Sequence, residues 1–170
     1  MEAINFFKPL ISLLCKKITK RKESMKACEI YKKDKELKIV TMYETDTGLF
    51  LSNEPIFILP VNSSKEELLN AILRAISASK LIKYTTDYSS KSLLHKLKEK
   101  NFKSLYLSSV SCFLYIDGNN AEIKPQQFSN KLKCLVTNKS REVYIKNFTR
   151  ENLIMEISKI LELKMSEAGN

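Results

Sequence analysis

The stretch EPIFILPVNSSKEELLNAILRAIS, Glu54 to Ser77, changes its hydrophobic period partway along, and that change decides the fold. IFILPV, Ile56 to Val61, is a continuous apolar run of the kind expected of a strand covered on both faces, with Pro60 marking its end or a bulge. After a polar turn, Ser63 or Ser64 stands three positions ahead of Glu66 or Glu67, the spacing of a capping box. Leu68, Leu69, Ile72, Ala75 and Ile76 then recur at helical intervals and form one apolar stripe. A strand, a turn and a capped amphipathic helix are therefore expected in that order.

Working outward, strands are expected from Glu36 onward. LKIVTMYE, Leu37 to Glu44, is rich in β-branched and aromatic residues, and TDTG, Thr45 to Gly48, offers a turn in which Gly48 is free to take positive φ, so a hairpin into LFLS is predicted. SKSLLHKLKEKN, Ser90 to Asn101, predicts a second helix with Leu93, Leu94 and Leu97 on one face. Strands return in SLYLSSVSCFLYID, Ser104 to Asp117, near AEIKP, in KLKCLVT and in EVYIKNF. A hairpin turn is predicted at Asp117-Gly118, lengthened by Asn119 and Asn120. A final helix is expected from Thr149 to about Leu163.

With an offset of 85 in the numbering, this last unit falls into register with the first: Ser64 meets Thr149, Glu66 meets Glu151, Leu68 meets Leu153, Ile72 meets Ile157 and Ile76 meets Leu161. The chain thus reads as two degenerate β-hairpin-plus-helix halves, although two unrelated amphipathic helices would also align in this way. The predicted fold is α+β: a single domain with an antiparallel-rich sheet of six to eight strands and three or four helices. An N-terminal amphipathic extension or helix is assigned to 1–25, the domain to 26–165 and a tail to 166–170.

The 170 residues suit one domain, and a hydrophobic fraction of 44% with only three glycines and four prolines fits a chain folded almost throughout. The net charge of +10 comes from 29 Lys and Arg against 19 Asp and Glu, yet only four of the 29 are Arg. Bidentate reading of phosphates and bases favours Arg, so this excess argues weakly for specific nucleic-acid recognition. The excess is clustered, at +6 over residues 1–38 and +5 over 65–103, so a basic nucleic-acid-binding protein is one alternative. A second alternative is association with a membrane surface through residues 1–24, where Phe6, Phe7, Leu10, Leu13 and Leu14 precede a basic cluster. That apolar run is interrupted by Lys8 and Pro9, too short for a span, and its charges follow rather than precede it, unlike a secretory signal.

Catalytic motifs are sparse. His95, the one histidine, follows Ser92, Leu93 and Leu94 on a Lys-rich segment and reads as a surface or half-buried residue. Gly48, Gly118 and Gly169 are too far apart for a phosphate-binding loop. Cys15, Cys28, Cys112 and Cys134 lack metal-ligand spacing and read as free or buried thiols in a reducing cytosol. Neither an enzyme nor a cofactor or metal site is expected.

The order of elements carries a resemblance. Thr47 to Lys80 resembles immunity proteins of bacterial contact-dependent growth inhibition systems: a Gly turn leads to Pro55, a strand ends in Leu59-Pro60, and a Ser-capped helix carries Glu67-Leu68, Ala71, Ala75-Ile76 and Ser79-Lys80. A degenerate second copy fits Ile123 to Pro125 and the final helix, so the likeness covers Cys28 to Leu163. It implies a small cytoplasmic protein that binds the C-terminal domain of one cognate toxin, usually a nuclease, and blocks it without a small-molecule substrate. Inhibitors of nucleases often present carboxylates, whereas this chain is basic. The implied contact is then the local acidic region, Tyr43, Glu44, Asp46, Asn53 and Glu54, or the basic segment with Lys91, Lys96, Lys98 and Lys100, or a site away from the toxin's catalytic pocket.

Overall fold

In the computed structural model, residues 25–85 and 91–163 are described; residues 1–24 of the predicted extension and the predicted tail 166–170 lie outside them. The order is β1 (Lys26–Lys33), β2 (Glu36–Thr45), β3 (Phe50–Pro60), α1 (Lys65–Ala78), β4 (Leu81–Ile82), α2 (Lys91–Lys96), α3 (Phe102–Ser108), β5 (Val110–Asp117), β6 (Asn120–Ser129), β7 (Cys134–Thr137), a 3₁₀ turn (Lys139–Arg141), β8 (Val143–Ile145) and α4 (Arg150–Ile160). The strands form one sheet in the order β3-β2-β1-β5-β6-β7, with β8 also on β6 and β4 running parallel to the end of β2. This is the predicted single α+β domain.

Strand alternation sorts the core into two faces. Cys28, Ile30, Leu37, Ile39, Leu114 and Ile123 point to one face, where Leu68, Ile72 and Ala75 of α1 and Leu153 and Ile157 of α4 cover them. Ala27, Tyr31, Val40, Met42 and Phe113 point to the other, under Leu93 and Leu97 of the α2 segment and Leu105 of α3. Each fully buried Leu or Ile contributes roughly 1.5–3 kcal/mol, so both faces are needed to hold the sheet.

The two helices of the first face start alike. Ser64 Oγ accepts from the Glu67 N–H at 3.2 Å while the Glu67 carboxylate accepts from the Ser64 N–H at 2.9 Å. Thr149 and Asn152, their equivalents in the second half, repeat the exchange at 3.2 and 2.8 Å. The strands repeat at an offset of 84. The Lys33↔Glu36 pair closing the first hairpin matches Asp117↔Asn120, and the turn residues Asp34 and Gly118 both have positive φ, 53° and 56°. Where the halves meet, Ile30↔Cys112 and Cys28↔Leu114 exchange under the same shift, leaving Glu29↔Phe113 as the central pair. The sheet thus has an approximate two-fold relation through Glu29 and Phe113.

Several expectations are corrected. β1, the central strand, lies in a segment where the sequence pattern predicts none. LFLS and IFILPV are not two strands but one, and β3 is a half-buried edge strand rather than one covered on both faces, bent by a register shift opposite Val40/Thr41. The second helix is six residues long and ends before Lys98, whose φ is 56°. Residues Ser104–Ser108, expected to begin a strand, belong to α3 (Phe102–Ser108), which starts under an Asn101 cap that accepts from the Ser104 N–H at 2.8 Å. Asn119 and Asn120 do not lengthen the second hairpin, because Asn120 already pairs with Asp117 across a two-residue turn. The final helix stops at Ile160.

Candidate protein-binding surface

The β2–β3 turn is built as its sequence requires. Gly48 takes φ 82° and donates to the Thr45 carbonyl at 2.9 Å, and the buried Thr45 hydroxyl accepts from the Leu49 N–H at 2.9 Å. The turn is then fastened to the segment after α1. Asp46 N–H donates to the Ile82 carbonyl at 3.0 Å, and the Asp46 carboxylate accepts from the Tyr84 N–H at 3.0 Å. The Glu44 carboxylate accepts from the Met25 N–H at 2.9 Å. Two of the three acids of this region are therefore engaged with backbone, as structural fasteners.

The third, Glu54, forms an ion pair with Lys96. This contact joins the predicted acidic and basic surfaces, which are distant in sequence. Both side chains are well exposed, so the pair contributes little to stability. Tyr43 donates from its hydroxyl to the Glu54 carbonyl at 3.1 Å, its ring lies 5.0 Å from the Lys80 ammonium, and the Asn53 side chain accepts from the Glu54 N–H at 2.8 Å. Around these groups Leu49, Leu81 and Tyr84 are 55%, 52% and 42% exposed. The region is an apolar and aromatic surface with tied-down carboxylates, not a bare acidic patch.

The remaining lysines do not join it. Lys98 lies 3.7 Å from Glu36 at the start of β2, and the length of that strand separates this point from Glu44 by roughly 27 Å. Lys100 is exposed, and Lys91 opens α2 with its side chain outside the described residues. His95 is exposed on α2. Among the described residues no group of three His, Cys, Asp or Glu side chains converges on a metal position. Cys28 and Cys112 are buried, Cys134 is exposed, and all three are free.

Two charged sites went unmarked by sequence reasoning. Glu99 accepts from Lys33 at 2.6 Å and from Lys38 at 2.5 Å, and Lys38, 3% exposed, also donates to the Leu97 carbonyl at 2.7 Å. Burial raises the Glu99 carboxyl, but the two ammonium hydrogen bonds outweigh it and hold the group below the usual carboxylate range. This cluster ties the α2–α3 segment to β1 and β2. Glu29 lies at the sheet centre, where burial pushes it up to about 7 against the opposing pull of hydrogen bonds from Tyr31 and Gln126. Its only sequence signal is a carboxylate inside KACEIYKK at a position alternating with Cys28 and Ile30.

No protein-family description matches the chain, and no curated protein does. Solved structures do. A protein of unknown function, NMB0488, from Neisseria meningitidis superposes with a TM-score of 0.64 at 17% identity, covering 85% of this chain and 98% of that one. A chain of the CdiA-CT/CdiI toxin and immunity complex from Yersinia pseudotuberculosis superposes with a TM-score of 0.58 at 12% identity, covering 84% and 98%. At these identities the likeness is one of fold. Among the described residues no helix is long and apolar enough to cross a membrane.

Proposed function

We propose that this chain is an immunity protein that binds the toxin domain of a contact-dependent growth inhibition system in a stoichiometric complex and so neutralises it. The observation that carries this reading is the fold shared with a chain of a toxin and immunity complex over 84% of the present chain. A toxin of the nuclease class is the expected partner. With a net charge of +10, the chain is unsuited to imitating a nucleic-acid backbone over a broad face, so contact is expected outside a phosphate-binding cleft or on an acidic face of the toxin.

The surface best suited to that contact is the β2–β3 end, where exposed Leu49, Leu81 and Tyr84 surround Tyr43, Asn53 and the Glu54–Lys96 pair. Apolar and aromatic anchors with polar neighbours are the composition of interface centres. The test is inducible expression of a candidate toxin domain, encoded beside this gene at the end of a large secreted protein, with and without this chain. Growth rescue and one-to-one co-elution are expected, and Leu81→Glu should weaken the complex at least tenfold while leaving the fold intact. Toxicity without rescue or complex would sink the reading. Unaltered binding by Leu81→Glu would move the interface elsewhere.

A further inference from the structure

The turn between β6 and β7 presents a leucine at a tip where polar residues and glycine are the usual occupants. Leu132 is 62% exposed there, between Lys131 and Lys133. The turn is held from within: the Leu132 N–H donates to the Ser129 hydroxyl at 3.2 Å, and the Lys133 N–H donates to the Ser129 carbonyl at 2.8 Å as Lys133 takes φ 57°. α3 packs against β6 and β7 and brings a second leucine to the same corner. Leu105 is fully buried, with Leu135 of β7 packed against its cluster, whereas Leu107 is 55% exposed and lies four positions after exposed Lys103, on one side of the helix. Because Ser111 pairs with Gln126, Phe128 and Ser129 run on past the start of β5 and carry the turn alongside the end of α3.

The charge of this corner has one sign. No Asp or Glu occurs from Lys100 to Ile116 or from Ile123 to Arg141, and Lys103, Lys131 and Lys133 make no ion pair among the described residues. Two exposed leucines among unpaired ammonium groups call for a partner that sets apolar side chains among carboxylates. We propose that the corner between α3 and the β6–β7 turn docks an acidic protein segment carrying aliphatic residues. A single nucleic-acid strand fits less well, because it calls for open aromatic faces and for arginine. The cations here are lysines, and the nearest rings are engaged with one another, Phe102 with Tyr106 at 5.6 Å and Tyr106 with Tyr31 at 6.2 Å between centroids. A second copy meeting the chain through this same corner would bring like charges together. The toxin surface proposed above is elsewhere. The β2–β3 turn lies at the Lys26 end of β1 on the β3 side, and the β6–β7 turn at the Lys33 end on the β7 side, so the two occupy diagonal corners of the sheet. Five strand spacings separate them by roughly 24 Å across the sheet alone, so a partner at one corner leaves the other free.

The probe is a fluorescent peptide of glutamates interspersed with leucines, followed by anisotropy with full-length protein in about 0.15 M salt, where the overall field of a basic protein is screened beyond roughly 8 Å. Binding is expected. It should weaken at least tenfold with Lys131→Glu and Lys133→Glu together, and at least fivefold with Leu107→Ser and Leu132→Ser together; both leucines are exposed, so the second pair leaves the core intact. Lys65→Glu with Lys83→Glu makes the same change of net charge at exposed positions away from the corner and should alter binding less than threefold, as should Leu81→Glu on the toxin surface. Equal weakening by the two charge pairs would assign the binding to net charge and overturn the proposal. Weakening by Leu81→Glu to the same extent would move the peptide to the other corner and overturn it as well. So would indifference to the leucine pair, or no binding of the peptide at all. Tighter binding of oligouridylate or of phosphatidylglycerol vesicles through the same lysines would assign the corner to a nucleic acid or to a membrane surface, and would likewise overturn it.

Discussion

In the first half of the sheet the strand facing β2 runs unbroken from Phe50 to Pro60, whereas in the second half the strand facing β6 is split into β7 and β8 around a 3₁₀ turn. The interruption falls in the same place. β3 shifts register between Val40 and Thr41, and with the shift of 84 these positions become Lys124 and Pro125, between the last β8 pair at Ile123 and the first β7 pair at Gln126. Thr41 spans its bulge by donating from its hydroxyl to the Pro55 carbonyl at 2.7 Å. Pro125 has no N–H to give, so its ladder stops, and its carbonyl accepts from the Asn138 N–H at 2.8 Å as the chain leaves the strand.

The faces of the sheet diverge more than its strands do. On the α1–α4 face, equivalent residues stay apolar and buried, as Cys28 and Cys112, Ile39 and Ile123, and Leu68 and Leu153 show. On the other face Glu29 corresponds to Phe113, Lys38 to Glu122 and Val40 to Lys124. The cause is the cover. Two equivalent helices cover the first face, but among the described residues α2 and α3 occur once, between the halves, so equivalent strand positions meet different surroundings. Lys38 meets Glu99 and the Leu97 carbonyl under that segment, while Lys124 lies 4.5 Å from the Tyr115 ring and pairs with Glu122 at 3.1 Å in partial exposure.

The strongest way to break this comparison is at the face whose two halves share one environment. Leu68→Ala and Leu153→Ala each empty a site with no solvent exposure, so each should cost about 2–5 kcal/mol, and the two losses should agree within about 1 kcal/mol. Urea midpoints at constant slope measure both. A loss confined to one helix would show that the two halves do not share the core equally.

The next largest effect lies on the pseudo-two-fold itself, at Glu29. Folded Glu29 keeps its proton up to about pH 7, whereas the unfolded chain releases it near its ordinary value of 4.5. Between these values the folded state binds more protons, so stability present below pH 4.5 is lost as pH rises through 7. Glu29→Gln preserves a neutral amide in place of the neutral acid and removes this dependence. The variant should match the parent at pH 4 and exceed it at pH 8 by on the order of 3 kcal/mol, from a shift of about 2.5 units at 1.36 kcal/mol each. Denaturation curves at the two pH values decide it, and a parent with flat stability across the window would remove Glu29 as the source of asymmetry.

What the sequence disclosed and what it hid follow the same division. The capped helices were legible because a cap and an apolar stripe are local, and the β2–β3 turn was legible because Gly48 must take positive φ. β1 was hidden because Glu29 and its terminal lysines break the apolar alternation, and Glu29 is buried only in the assembled sheet, where Tyr31 and Gln126 hydrogen-bond to it. α3 was hidden because SLYLS alternates like a strand; Asn101 three positions before Ser104 was the one cue to a helix start. At the candidate surface, the tip residues were found together because they are neighbours in sequence. The Glu54–Lys96 contact was not, since nothing local brings such distant positions into one place, and the spread of Lys98 from the tip follows from a strand whose length no charge pattern reveals.

The finest test of the repeat concerns its two helix starts. Ser64 and Thr149 each satisfy an otherwise orphaned backbone N–H, and Glu67 and Asn152 each return the bond. Removing either hydroxyl, by Ser64→Ala or Thr149→Ala, should cost about 1 kcal/mol, or about 2–4 °C in Tm for a chain of this size. The partners differ, however: Glu67 brings a negative charge to the positive end of α1, whereas Asn152 is neutral. Glu67→Gln should therefore reduce the stability of α1 by a few tenths of a kcal/mol while keeping the reciprocal bond, and Asn152→Glu should give α4 a similar gain. Opposite signs for these two substitutions in thermal melts at low salt would place the difference between the caps in charge alone; a loss from both would mean that the Asn152 amide fits its site through more than the bond it shares with Thr149.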